Sequence, residues 1–549
     1  MASKLLNRRK AISRLAKIAV GAGVAAVVGG AAAYYLTTKL PVTTQVPEKV
    51  KPDRVVIAYQ TTIPTLDPHL LNASNVEMSP HLAIFDTFIQ QDRELKWQPG
   101  VIESWQFSSD KSRVSLKIRK NVKFHNGDIL TAEDVVFSLR RLGSPGMPYE
   151  GIYSIMKEIT AVSDSEVQVV VDPPHPEPAF LTWLIGIGIT AAVIPKKYFE
   201  KVGADRFGAE PVGSGPYKFK RYVQDSLLEL EAFDEYWQGA PPIRYVTFKL
   251  VPDATSRAAE IESGTSDITF DVSIADFERL GKIPSFTCMK QPVTDVALLM
   301  LAPYHPQIYD LNVRQAMHYA IDKGTITKEV LGGFGIPLST LEAPGYAAYG
   351  YVKDYVFPYD PDKARELLSK AGYSASNPLK ITAGGYSGYR TRDLQVMQAI
   401  VEMWRKVGIE ADLQIFTGTA DFFARMDAAQ LPTVSLYYWS NPSGDPLYST
   451  GHATWPESPF TPWFAVKEKI DDPRMLKLRD ELNTRFEALF KETNESKRMM
   501  IAKEYAIFAV EQGMVIPLFQ AVQPVVVKKD LHYDPWPQAW VVPQSMSWI

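Results

Sequence analysis

The chain of 549 residues has a single cysteine, Cys288. A disulfide within the chain is excluded, and so is any zinc or iron–sulfur centre built on several cysteines. The compartment is not revealed by this, because a large secreted domain can fold without disulfides. A strong charge of one sign is also lacking. The 59 basic and 62 acidic side chains leave a net charge of −3 at pH 7, so no basic field points to nucleic acid. Histidines are few: 69, 81, 125, 175, 305, 318, 452 and 532. No two stand at helical metal-ligand spacing, and no H-E-x-x-H occurs. A G-x-S-x-G nucleophile elbow is missing too, since Gly385-Tyr386-Ser387-Gly388 has Tyr389 where the last glycine belongs. Gly213-Ser214-Gly215 lacks the Lys-Ser/Thr ending of a phosphate-binding loop and opens a strand instead of a helix. No catalytic residue, metal or cofactor is assigned, and the chain is read as a non-enzyme. Acidic residues are plentiful, and sequence does not say which of them face each other across a cleft. A secreted glycoside hydrolase therefore stays on the table as an alternative.

What is present begins at the N-terminus. Lys4, Arg8, Arg9, Lys10, Arg14 and Lys17 precede an uncharged run from Ile18 to Leu36. As a helix that run spans about 28 Å, enough to cross a bilayer core. The basic flank is expected to stay cytoplasmic, placing everything after Leu36 outside. Arg8-Arg9 resembles a twin-arginine export signal, and Ala31-Ala32-Ala33 offers a small-residue cleavage site. No cysteine follows the run, which speaks against a lipid-anchored lipoprotein. Residues 1–36 are therefore read as a signal or membrane-anchor segment, cleaved or retained, with the anchor preferred. Residues 37–53, rich in Thr, Pro, Val and Lys, form a stalk linker.

Beyond the stalk, the composition is that of a soluble globular protein, with 46% hydrophobic and 22% charged residues. The length allows roughly three domains. Val55 to Gln60 reads as a strand, and Glu77 to Phe88 as an amphipathic helix. From about Asp310 the apolar period changes from two to about 3.6. Asp360-Pro361 starts a helix that Gly372 closes. Leu379–Ala383, a helix through Leu394, Ile400 and Trp404, and Ile409–Ile415 form a strand–helix–strand unit, which implies a parallel pair. Such layers bind ligands beyond the carboxyl ends of their strands. The strand Thr433–Tyr438 runs into one such loop, Trp439-Ser440-Asn441-Pro442-Ser443-Gly444-Asp445-Pro446. Two helices fill Asp472 to Gln512, and the strand from Met514 returns to an earlier domain.

The most position-specific stretch is Asn121 to Arg141, NVKFHNGDILTAEDVVFSLRR. Val114, Leu116 and Ile118 alternate before it as a half-buried strand. Asn126-Gly127 predicts a type I′ hairpin turn, with positive φ at both residues. Thr131 is a good N-cap with Asp134 three residues on, and Val135, Val136, Leu139 and Leu142 mark one helix face.

Together with other runs, this stretch resembles the family 5 extracellular solute-binding proteins, the receptors of ABC importers. Thr65-Leu66-Asp67-Pro68-His69 resembles the family's early turn. Pro99-Gly100-Val101-Ile102-Glu103-Ser104-Trp105 resembles its P-x-L/V-A-E-S-W, with Ile where Ala is usual. Lys123-Phe124-His125-Asn126-Gly127-Asp128 with Thr131-Ala132-Glu133-Asp134-Val135 is similar to its hairpin and helix. Val212-Gly213-Ser214-Gly215-Pro216-Tyr217, Tyr236-Trp237, Glu262-Ser263-Gly264, Val313-Arg314-Gln315-Ala316 and Ala371-Gly372-Tyr373 extend the match in order.

The resemblance implies an α/β, two-lobed periplasmic-binding-protein type II fold with an additional accessory domain and a hinge-closing cleft. Lobe I would take 54–93, 207–304 and 514–549, the accessory domain 94–206, and lobe II 305–513. It further implies an extracytoplasmic receptor, with a monomeric ectodomain, that captures short peptides by lobe closure and hands them to ABC permease subunits with their ATPases. Ligand-binding residues expected on this pattern are Asn75, Glu77, Tyr438, Trp439, Asn441 and Asp445. In peptide-binding members a Trp in the second-lobe loop is followed three residues later by an Asp that pairs with the peptide's amino terminus. Here Trp439 is in place, but position 442 is proline and Asp445 lies three residues further on. That departure keeps an uncharged oligosaccharide, held by aromatics and amides such as Asn441, as the alternative solute. A sensory receptor without a permease is a further alternative. Asn72-Ala73-Ser74 and Asn494-Glu495-Ser496 match the glycosylation motif.

Overall fold

Two long strands, Phe286–Leu301 and Val515–Lys528, run antiparallel through the centre of the molecule, and an α/β half is built on each side of them. The computed structural model describes residues 52–549 except 64, 72–77, 149, 183–190 and 467–469. The expected N-terminal helix, nearly all of the stalk, Asn75, Glu77 and the motif at Asn72 lie outside the described residues. Among the described residues, no helix is long and apolar enough to cross a membrane.

The central pair belongs to an eleven-stranded sheet. On one flank Val434–Ser440 pairs antiparallel with Phe286–Leu301 and parallel with Leu379–Gly385, which in turn runs parallel to Ile409–Ile415. This is the parallel unit expected from the period change near Asp310, with the helix Asp393–Arg405 joining its strands. On the other flank Ile268–Phe270 pairs with Val515–Lys528, and Arg54–Tyr59 lies parallel to both Ile268–Phe270 and Tyr245–Leu250. Leu227–Ala232 and Tyr217–Val223 complete that edge. The last strand is longer than the sequence suggests. It continues to Lys528 because Val525, Val526 and Val527 pair with both Ile268–Phe270 and Phe286–Leu301.

A separate four-stranded antiparallel sheet holds Ile102–Phe107, Arg113–Ile118, Glu166–Val171 and Met156–Ser163. The helix Ala132–Leu142 buries Val135, Val136, Leu139 and Leu142. Its start follows the expected chemistry: Asp134 Oδ2 accepts from the Thr131 N–H at 2.9 Å. Arg141, at the end of this helix, reaches back to Asp67 in the early turn, with Nη1–Oδ1 2.8 Å and Nη2–Oδ2 2.6 Å. A fork-to-fork pair of this kind fixes both distance and orientation.

Two local expectations are corrected. The turn at Asn126-Gly127 is not type I′, since only Gly127 has positive φ, at 90°. The Phe124 carbonyl accepts from Gly127 N at 2.9 Å and Phe124 N donates to the Asp128 carbonyl at 2.8 Å. This is a three-residue loop closed by a left-handed glycine. The helix expected over Glu77–Phe88 is confined to Ser79–Ile84 among the described residues. Phe85 is extended, and Thr87 already bridges to Ala192.

The hairpin, this short helix and the Gly213-Ser214-Gly215 turn form one joint. Gly215 N donates to the Ile84 carbonyl at 2.9 Å, and His125 N donates to the Gly213 carbonyl at 2.8 Å. The His125 ring lies between the glycines, with Nε2 2.9 Å from the Gly215 carbonyl and Nδ1 accepting from Gly213 N at 3.3 Å. It therefore works as a neutral imidazole, donor on one side and acceptor on the other. Burial lowers its pKa to about 4. A Cβ added to Gly213 would collide with the Ile84 carbonyl, which is backbone and has nowhere to go.

Two tests follow from this joint. Gly213→Ala should lose more stability than Gly127→Val, about 1–3 kcal/mol or more from the collision against about 1–2 kcal/mol for a side chain at positive φ, read by urea unfolding. Equal stability of wild type and Gly213→Ala would show that the close approach is not needed. Because His125 is protonated at a lower pH when folded, the unfolded state binds more protons between about 4 and 6.5. Its contribution is complete above 6.5 and lost as pH falls towards 4. The pH dependence of unfolding in that window should therefore be shallower in His125→Gln than in wild type.

Candidate functional site

The register between the two central strands breaks twice, between Pro292 and Val296 and between Ala297 and Leu298. Proline cannot donate to a ladder, and Pro292 begins the first break. The freed groups find other partners. Thr294 N donates to the Pro537 carbonyl at 2.7 Å, and the Thr294 carbonyl accepts from Asn441 N at 3.0 Å and the Tyr346 hydroxyl at 2.7 Å. A small cavity of about 50 Å³ opens beside this break. Gln60, Asp271 and Gln523 line it from one flank of the sheet, Arg390 and Tyr438 from the other, and Val293, Asp295 and Phe519 from the central strands.

The cavity is charged. Arg390 Nη2 donates to Asp295 Oδ2 at 3.1 Å, and the Ser440 hydroxyl donates to Asp295 Oδ1. The guanidinium also lies over the Tyr389 and Tyr438 rings, 4.4 and 5.8 Å from their centroids. Burial works against its charge, but Tyr389, Asp295 and Asp271 hold its pKa above the ordinary value. Asp271 Oδ2 accepts from Gln60 Nε2 at 2.6 Å and Gln523 Nε2 at 2.9 Å. The Tyr438 hydroxyl is buried and has no hydrogen-bond partner, and burial pushes its pKa well up.

Of the six residues expected from sequence, Tyr438 lines this cavity, and Asn75 and Glu77 lie outside the described residues. The structure does not bring Trp439, Asn441 and Asp445 to the cavity lining. A strand turns successive side chains to opposite faces, so Trp439 points away from Tyr438. Its indole donates to the Tyr448 carbonyl at 2.7 Å, and its ring packs against Tyr437 and Phe460. Asn441 is fully buried and shapes the loop. Its Oδ1 accepts from the Ser443 hydroxyl at 2.8 Å and Gly444 N at 2.9 Å, and its Nδ2 donates to the Asp445 carbonyl at 3.1 Å. Asp445 is taken by Arg498, with Nη1–Oδ2 2.8 Å and Nη2–Oδ1 2.6 Å, and it also accepts from Leu447 N at 2.9 Å.

Sequence reasoning missed Asp271, Asp295 and Arg390. Asp271 directly follows the strand Ile268–Phe270, and Arg390 follows the strand Leu379–Gly385 by a short loop. Both stand at carboxyl ends of parallel strands, where ligands of such sheets bind. Applying that rule to every parallel strand, not just the one before Trp439, would have found both.

The Asp445–Arg498 pair is buried, with 13% and 4% of the side chains exposed. Removing one partner of such a pair leaves an uncompensated charge and costs about 3–5 kcal/mol. Arg498→Met should lower stability by about that amount in urea unfolding. A loss below about 1 kcal/mol, the range of exposed pairs, would mean that Asp445 is free to serve elsewhere.

The chain is 26% identical over 468 residues to heme-binding protein A of Haemophilus influenzae, covering 77% of this chain and 79% of that protein. It is 29% identical over 375 residues to the dipeptide-binding protein of Escherichia coli strain K12, covering 63% and 68%. Two solved structures share the fold at 21% identity. One is the ABC transporter-associated periplasmic binding protein DppA from Helicobacter pylori in complex with the peptide STSA, with a TM-score of 0.75 over 91% of this chain and 98% of that one. The other is the oligopeptide-binding protein AppA from Bacillus subtilis in complex with a nonapeptide, with a TM-score of 0.74 over 91% and 99%. The architecture is thus the two-lobed type II periplasmic-binding fold. Residues 96–455, more than half of the chain, match the model of the bacterial extracellular solute-binding proteins, family 5 Middle, and the chain belongs to that family.

Proposed function

We propose that this protein is an extracytoplasmic receptor that captures short peptides by lobe closure and delivers them to an ABC permease. The observation that carries the reading is the charged cavity at the strand break, where Arg390 and the carboxylates of Asp271 and Asp295 converge from both halves of the sheet. A peptide is a zwitterion and supplies both complementary charges. A neutral oligosaccharide would bring no charge to meet these groups, and the relatives named above give that alternative no support. Three of those names, a dipeptide-binding protein, a periplasmic binding protein holding a peptide and an oligopeptide-binding protein holding a nonapeptide, favour the same class.

On this reading the lobes follow the partition 54–93 with 207–304 and 514–549, and 305–513, with 94–206 as the accessory domain. Closure is held by amide contacts onto the loop after Ser440. Gln91 Nε2 donates to the Ser443 carbonyl at 2.9 Å, and Gln538 Nε2 donates to the Pro442 carbonyl at 3.3 Å. The space of about 50 Å³ is well below the several hundred Å³ of an ordinary ligand pocket, so the halves must part to admit a peptide. Tyr438 contacts the ligand, while Trp439, Asn441 and Asp445 hold the loop beside it. The N-terminal segment exports or anchors the chain, and the protein performs no chemistry on its ligand.

Melting of the full-length chain in the presence of di- to pentapeptide pools, and separately of neutral oligosaccharide pools, tests this. A peptide at one hundred times its Kd stabilises the folded state by about 2.7 kcal/mol and should raise Tm, whereas oligosaccharides should leave it unmoved. The reverse result, or turnover of the bound peptide, would defeat the proposal.

A further inference from the structure

The two walls of the cavity differ in hydrogen-bonding character. On one wall, Asp271 Oδ2 holds the Nε2 groups of both Gln60 and Gln523. Each amide so held keeps its carbonyl oxygen for another partner, and both Gln60 Oε1 and Gln523 Oε1 are buried without one. This wall therefore offers three acceptor groups: two amide oxygens and a carboxylate. The opposite wall offers donors, the Arg390 guanidinium and the unpartnered Tyr438 hydroxyl.

Asp271 is fixed in place by its backbone. It lies at φ 52°, a left-handed conformation that residues other than glycine seldom adopt. Its N–H donates to the Pro524 carbonyl at 2.9 Å, and its carbonyl accepts from Arg257 Nη2 at 2.7 Å. The side chain is thus aimed by groups that a ligand does not touch. The loop after Trp439 presents no rival carboxylate, because position 442 is proline and Asp445 is committed to Arg498.

We propose that a ligand's primary ammonium docks on the wall formed by Asp271, Gln60 and Gln523, with its carboxylate turned towards Arg390 and Tyr438. This rests on the peptide reading above and adds the polarity of the bound solute. An ammonium has three donors, and the wall presents three acceptors. Guanidinium and phenol hydroxyl are the matching pair for a carboxylate.

The test uses the full-length chain, a defined library of di- and tripeptides, and the same library N-acetylated, with binding read by calorimetry and thermal shift. Free-amine peptides should bind and acetylated ones should lose at least tenfold in affinity. Asp271→Asn should lose at least tenfold for free-amine peptides and discriminate little between the two libraries. Gln60→Leu combined with Gln523→Leu should do the same with Asp271 intact, so the proposal stays testable where Asp271→Asn does not fold. Peptide binding that ignores acetylation, or full amine preference in both variants, overturns the proposal and leaves the peptide reading standing. Binding of neither library overturns both.

Discussion

The broken ladder between Phe286–Leu301 and Val515–Lys528 is the constraint on which the rest depends. An unbroken antiparallel pair would lock both halves of the sheet into one rigid slab. At the break, Val293, Thr294 and Asp295 have no ladder partner on Val515–Lys528; the Val293 carbonyl accepts from the Gln520 side chain of that strand, and the Thr294 groups pair with Pro537, Asn441 and Tyr346. Backbone groups that would have built sheet now tie the loop after Ser440 and the chain's final segment to the strand. Two of these residues, Val293 and Asp295, line the cavity. Placing the binding space at the weakest point of the sheet couples what occupies the space to how the halves stand.

Much of the architecture was legible because it rests on short-range chemistry. Thr131 and Asp134 announce a helix start, Asp360-Pro361 and Gly372 bracket a helix, and strand alternation marks Arg113–Ile118. Where local signals conflicted with distant packing, the reading slipped. The run from Glu77 to Phe88 has a helical pattern, but Asp86 is drawn out of it by the Tyr236 hydroxyl and the Trp237 indole at 2.9 and 3.0 Å. Buried there, its carboxyl is pushed up to about 6 despite those bonds. Two residues of the family's Tyr-Trp motif thus decide the backbone 150 positions away, which no window of local sequence contains.

The candidate site was less legible, for a different reason. Sequence shows that a carboxylate exists, but not what has already claimed it. Asp445 looked available and is paired with Arg498; Asp295, on a strand with no motif around it, faces the cavity. Tyr438 and Trp439 are separated by strand phase. Adjacent residues of a strand take opposite faces, so Tyr438 lines the cavity while Trp439 joins the hydrophobic cluster with Tyr437 and Phe460.

The ion pairs of the molecule separate by geometry into those that hold structure and the one at the cavity. Arg141 with Asp67 and Arg498 with Asp445 are fork-to-fork, with both guanidinium Nη atoms and both carboxylate oxygens in use. Such pairs have little left to offer a ligand. Arg390 and Asp295 are different. Arg390 reaches Asp295 through Nη2 and Oδ2, Oδ1 accepts from the Ser440 hydroxyl, and 22% of the arginine side chain remains exposed. A partly exposed cation with aromatic and carboxylate neighbours is stabilised further by an anion that reaches it, and more strongly where water is excluded. The cation and the broken strand ladder thus meet at one cavity, where charge and backbone outside the ladder lie side by side.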